Sequence, residues 1–237
     1  MICAFKKQKK ISFLNVSTVN LEKNKIIKYI KDLDDNIFLA IISSVVPKST
    51  ILFKKLFKDH GISYYLARNL VKAYDIKTTL SDEKSIGDDR LINVIYGKHL
   101  FSSSVMIIDF GTATTIDVIN EKGIYDGGVI TPGIDLSLLS LKQCTAKLPL
   151  VKFQKTKNIV GKNTLEAIQS GFFWGYICMI QGLVKKIEEN QKVKFGLILT
   201  GGNSTLFKGY FQNVIKIDEF FISKGLNFLI NNLLIQE

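Results

Sequence analysis

Apolar and polar positions along this chain fall into runs that switch between a period of two and a helical period. "ISFLNVST" (Ile11–Thr18) predicts a strand, and "LEKNKIIKYIKDL" (Leu21–Leu33) spaces its apolar residues for a helix with lysines opposite. "NIFLAIISSVVPKST" (Asn36–Thr50) reads as a buried strand halted by Pro47, the kind a parallel sheet uses. "STILFKKLFKDHGI" then carries helical spacing, a Ser or Thr cap and a stop at Gly61, and "ISYYLA" predicts another strand. "IGDDRLINVIYGKHLF" (Ile86–Phe101) predicts a helix capped by Asp88 or Asp89, with Leu91, Ile92, Ile95 and Leu100 on its apolar side.

The pattern changes at "MIIDFGTATTIDVIN" (Met106–Asn120), which opens like a core strand and turns polar at Asp109. Gly111 permits a tight turn there, and beyond it Thr115, Asp117 and Ile119 share one face of a second strand. "GIYDGGVITPGIDLSLLSLKQCTAKLP" predicts a strand, a Gly-Gly step and a turn at Pro132-Gly133 that feeds a helix. A long helix begins near Asn163 or Thr164, and Ala167, Gly171 and Gly175 leave one of its faces with almost no side-chain bulk. "KFGLILTGGNSTLFKGY" is a strand entering Thr200-Gly201-Gly202, with Ser204 placed to cap a short helix, and "ISKGLNFLINNLL" predicts a final helix. Alternation of strands and helices gives an α/β class, and the change around Ser102–Ser104 suggests two domains, residues 1–103 and 104–237.

Composition narrows the choice of function. No apolar run approaches the roughly 20 residues that cross a bilayer, and the lysine-bearing N-terminus lacks a signal-peptide pattern, so the expectation is a cytoplasmic protein without membrane partners. Cys3, Cys144 and Cys178 are far apart and predict buried free thiols, not a disulfide framework or a zinc site. The formal charge of +11 suggests an anionic ligand. Nucleic acid is the weaker partner for it, because Arg68 and Arg90 are the only arginines and the lysines form no single basic arm.

Three segments carry candidate chemistry. The Asp109–Asp117 hairpin is either a plain surface hairpin or a wall that turns backbone N–H groups, threonine hydroxyls and a cation-holding carboxylate toward an anion. "LTGGNS" and "GGVITPG" are strand-to-turn-to-helix junctions, which bind phosphates or nucleotides in some proteins and are simple turns in others. "GDDR" (Gly87–Arg90) puts two acids and an arginine at a helix start. One acid is accounted for as a cap; as chemistry, an Asp would take the proton of a substrate hydroxyl and Arg90 would clamp a carboxylate or phosphate.

Taken in order, "ISSVVP", "GDDR", "DFGTATTID", "GGVITPG", "TAKLP", "GKNTLEAIQSG", "LTGGN" and "ISKGLNFL" resemble type III pantothenate kinase, within the actin-like ATPase superfamily, over nearly the whole chain. The resemblance implies two ribonuclease-H-like domains with a nucleotide cleft between them, assembled as a homodimer. It implies transfer of the γ-phosphate of ATP to pantothenate, with Mg²⁺ and a monovalent cation, K⁺ or NH₄⁺. By position, Asp89 is the implied general base, Gly87, Asp88, Asp89, Arg90 and Thr164 the pantothenate contacts, Thr112 an ATP contact and Asp109 the monovalent-cation ligand. The family's opening Asp-x-Gly-Asn-Thr phosphate turn has no counterpart here, where the resemblance begins just past that turn. Leu80 and Glu83 stand where relatives often carry a tyrosine and a proline. A different expectation, motivated by the absent turn and the basic charge, is a relative that acts as a binding or transcription accessory protein.

Overall fold

A computed structural model describes residues 2–6, 9–14, 22–33, 37, 39–44, 46–82 and 86–236. The far end of the strand expected over Ile11–Thr18, and Glu83 in the loop before Gly87, lie outside the described residues. Compact packing divides the chain into two units: residues 1–75, 84–96 and 222–237 in the first, 76–83 and 97–221 in the second. The change of unit near residue 97 is not a single cut of the 1–103 and 104–237 kind. The C-terminal residues return to the first unit, while residues 76–83 join the second, where Thr78 forms a parallel bridge to Tyr125.

In the first unit, β1 (Ile2–Lys6) pairs antiparallel with β2 (Lys9–Leu14), and β1 has no strong pattern of its own to announce it. Helix α1 (Lys23–Asp32) comes next, then β3 (Ala40–Ile42), α2 (Pro47–Asp59), β4 (Tyr64–Leu66), α3 (Ala67–Lys72) and the start of α4 (Asp88–Leu100). Pro47 opens α2 and does not halt the strand, which already stops at Ile42. The first helical position needs no N–H, and the fixed φ of proline suits it. β3 and β4 pair in parallel. Ile26, Ile30, Ile42, Leu56, Phe57 and Ile62 form the core here, each fully buried side chain worth about 1.5–3 kcal/mol. Phe228 of α7 (Phe221–Gln236) meets Tyr74 and Tyr96, with ring centroids 6.3 and 5.9 Å away.

The second unit is built on one five-stranded sheet of order β7-β6-β5-β8-β9. Its strands are β5 (Val105–Phe110), β6 (Ala113–Ile119), β7 (Tyr125–Pro132), β8 (Gly196–Thr200) and β9 (Val214–Ile217). The first three run antiparallel as a meander, and β8 and β9 add in parallel to β5. The mixed sheet and its helices bear out the expected α/β class. Met106, Ile108, Phe110, Ile116, Leu197 and Leu199 face the core shared with α5 (Ile134–Gln143) and α6 (Thr164–Gln191). On the opposite face the register sets Ile107 beside Asp117 and Ile198, and Asp109 between Thr115 and Thr200. Asp117 is fully buried, and Tyr125 donates its hydroxyl proton to Asp117 Oδ1 at 2.7 Å.

By length and composition α6 is apolar enough to cross a membrane. Its Ile168, Phe173, Ile177 and Ile180 are spent on the core, so the apolarity is that of a core helix. All three cysteines are free thiols, but Cys144 and Cys178 are exposed, not buried. Cys178 lies on the small-residue face of α6, which the sheet does not cover.

Candidate functional site

Strand β5 delivers Asp109 to the carboxyl end of the parallel β5–β8 pair, the edge where α/β sheets hold their ligands. Four contacts fix the turn beyond it. Thr200 leads into Gly201, whose φ of +87° favours glycine, and a Cβ there would stand 2.5 Å from Asp109 Oδ1 and 2.6 Å from the Phe110 carbonyl. From the other side Gly133 approaches so closely that a Cβ would lie 2.1 Å from the Thr112 carbonyl oxygen, which instead accepts the Gly133 N–H at 3.1 Å. The Pro132 carbonyl accepts the Tyr176 hydroxyl at 2.8 Å, tying this second turn to α6. Burial raises the Tyr176 pKa, the Ser137 hydrogen bond works against that rise and the Asp135 charge adds to it. Beneath the turn Phe110 stacks on Phe207 of a short 3-10 helix (Ser204–Phe207), with centroids 4.4 Å apart.

These contacts leave Gly111 and Thr112 exposed at the rim, with the half-buried Asp109 carboxylate behind them. "LTGGN" and "GGVITPG", each an ordinary turn signal when read singly, are therefore the two braces of one cradle. Among the described residues no three His, Cys, Asp or Glu side chains cluster as a metal site. A lone carboxylate flanked by threonines is an all-oxygen set, which fits a hard cation and not zinc.

In the first unit α4 begins at Asp88, and the Gly87 carbonyl accepts the Leu91 N–H at 3.2 Å. Both acids thus sit inside the first turn and neither is the cap residue itself. They are not equivalent. Asp88 Oδ1 accepts the Arg68 Nε proton at 3.2 Å, whereas Asp89 is exposed and its Oδ1 accepts the following Arg90 N–H at 2.9 Å. Arg90 is partly buried.

Thr164 is the first residue of α6 and is exposed. A reciprocal cap fixes its position: Asn163 Oδ1 accepts the Glu166 N–H at 2.9 Å, and Glu166 Oε2 accepts the Lys162 N–H at 2.8 Å. Ser170 also donates to the Ile159 carbonyl, which holds the preceding loop against the helix. A cavity of about 170 Å³ beside these turns, lined by Lys155, Lys157, Glu166 and Gln169 among others, does not include Thr164.

Asp109 and Thr112 thus share one turn, Gly87 to Arg90 share one helix start, and Thr164 stands at another. Sequence reasoning did not set Thr200 beside Asp109, which the register does; the sequence shows only a threonine closing the apolar run "GLIL", where valine is the ordinary buried choice.

A family model described as type III pantothenate kinase matches residues 5–186. A type III pantothenate kinase from Sulfurihydrogenibium sp. (strain YO3AOP1) is 39% identical over 197 residues, 83% of this chain and 78% of that protein. A solved structure from Campylobacter jejuni, described as of a Baf family transcriptional activator, has a TM-score of 0.57 at 19% identity and covers 89% of each chain. At that identity the likeness is one of fold.

Proposed function

The chain belongs to the type III pantothenate kinase family, and from that premise we propose how its residues divide the phosphorylation of pantothenate by ATP. Asp89 is the general base. Its carboxylate takes the proton of the primary hydroxyl as that oxygen bonds to the γ-phosphorus, while the bond to the bridging oxygen breaks and ADP leaves. The observation that carries this assignment is the asymmetry at the start of α4, where Asp88 is held by Arg68 and Asp89 is left exposed.

Gly87, Asp88 and Arg90 line the pantothenate side, with the Arg90 guanidinium as the clamp for the substrate carboxylate, and Thr164 adds a contact. Thr112 meets the ATP phosphates from the braced turn. Bound Mg²⁺, and a monovalent cation (K⁺ or NH₄⁺) at Asp109, would offset the charge on the phosphates. The all-oxygen surroundings of Asp109 support that role. We also propose a cytoplasmic homodimer. Exposed Ile159 and Val160, 68% and 65% accessible, lie just before α6, whose face of Ala167, Gly171, Gly175 and Cys178 has space for close approach of a second chain.

Purified protein given ATP, Mg²⁺, K⁺ and pantothenate is expected to form 4'-phosphopantothenate, detected by mass spectrometry. Asp89→Asn is expected to lower kcat by roughly 10²–10⁴-fold while pantothenate still binds by calorimetry. Wild-type turnover in that variant would remove Asp89 from the role of base, and a wild type that leaves pantothenate unmodified would overturn the substrate assignment.

A further inference from the structure

Beside Asp109 lies a buried polar group that makes no hydrogen bond to the described residues. Thr200 is 1% exposed, and its Oγ1 is buried with no hydrogen-bond partner among the described residues. Such a hydroxyl destabilises the folded chain, and valine would fill the same strand position without that penalty. The register puts Thr200 directly alongside Asp109 in the parallel pair, so both side chains leave the same face of the sheet. Gly201, the next residue, brings its backbone against Asp109 Oδ1. Ser204, fully buried at the same junction, has a second unpartnered hydroxyl. Two buried hydroxyls around one Gly-Gly turn, next to a carboxylate, are out of place in a purely structural strand end.

We propose that Thr200 is a positioning residue: its hydroxyl holds the Asp109 carboxylate, through a bound water, in the orientation used when nucleotide is loaded. The inference rests on the assignment of Asp109 to the nucleotide site. Thr200 touches no reacting atom. Its effect is to make nucleotide affinity, and the dependence of that affinity on monovalent cation, sensitive to a group one strand away from Asp109.

The test is a pair of variants, Thr200→Val and Thr200→Ser, each measured four ways. In Thr200→Val the thermal midpoint of the ligand-free protein is expected to equal or exceed that of wild type. Its ATP affinity by calorimetry falls about 10-fold, the equivalent of one hydrogen bond, and its K⁺ dependence flattens. The KM for pantothenate stays as in wild type, and Thr200→Ser restores ATP affinity to within about 2-fold. A role confined to packing would give the opposite signs, a lowered midpoint with ATP affinity intact, and would overturn the proposal. Serine behaving like valine would overturn it too. ATP binding is the readout, so a wild type that binds ATP and ignores pantothenate would refute the substrate assignment and leave this inference standing.

Discussion

Gly201→Ala tests the cradle most directly, because its two sources of damage can be separated. The backbone at Gly201 has φ +87°, a region where an L side chain costs about 1–2 kcal/mol. The new methyl would also stand 2.5 Å from Asp109 Oδ1 and 2.6 Å from the Phe110 carbonyl carbon and oxygen. The carboxylate can swing away, but the Phe110 backbone cannot easily follow, since its ring is 1% exposed and stacked on Phe207. Overpacking of a close contact of that kind adds about 1–3 kcal/mol, for a total of roughly 2–5 kcal/mol. Gly202 is the built-in control. A Cβ there meets nothing within 4 Å and its φ is not in the left-handed region, so Gly202→Ala should stay within about 1 kcal/mol of wild type. Urea denaturation reads the stability and calorimetry the ATP affinity. A displacement of Asp109 by about 1 Å predicts an ATP-dependent rate lowered on the order of 10²-fold in Gly201→Ala alone. If the two alanine variants prove equal in stability and in ATP affinity, the close approach of Gly201 to Asp109 is not what holds the site.

The long helix α6 can be probed at its start and on its open face. Asn163→Ala removes one half of the reciprocal cap and should cost about 0.5–2 kcal/mol in denaturant, with Asn163→Asp recovering most of it. Gly175→Leu puts bulk on an exposed face where a side chain meets nothing in the subunit, so monomer stability should hold while a dimer seen by sedimentation dissociates; an unchanged dimer would move the interface elsewhere.

Elements with a long, strict period were legible in the sequence. α1, α4, α6 and the β5–β6 hairpin stand where the pattern puts them, because each spends its apolar residues on one face of a core. Short elements were legible in part: β3 and β4, three residues each, lie inside runs read as strands, whereas the six residues of α3 are too few for a period to show. The role of Pro47 was misread because the same residue that ends a strand also suits a first helical turn. At the site, Asp109 and Thr112 were visible as polar residues at the end of an apolar strand. The braces were not, since Gly133 and Gly201 act through space on a segment distant in the chain. Thr200 escaped for the same reason: only the register sets it next to Asp109.

That pairing also bears on how the protein is made. β8 reaches β5 only after β6, β7, α5 and α6 have left the ribosome. Until then the nascent β5 has a neighbour on one side alone, and its other edge, Val105–Phe110, is an apolar strand open to mispairing. Contacts of such long sequence separation form late and slowly. A chain released before Thr200 can build the meander and still lack one side of the cradle, so nucleotide affinity should arise in a single late step of synthesis, with ATP itself acting as a ligand that favours completion.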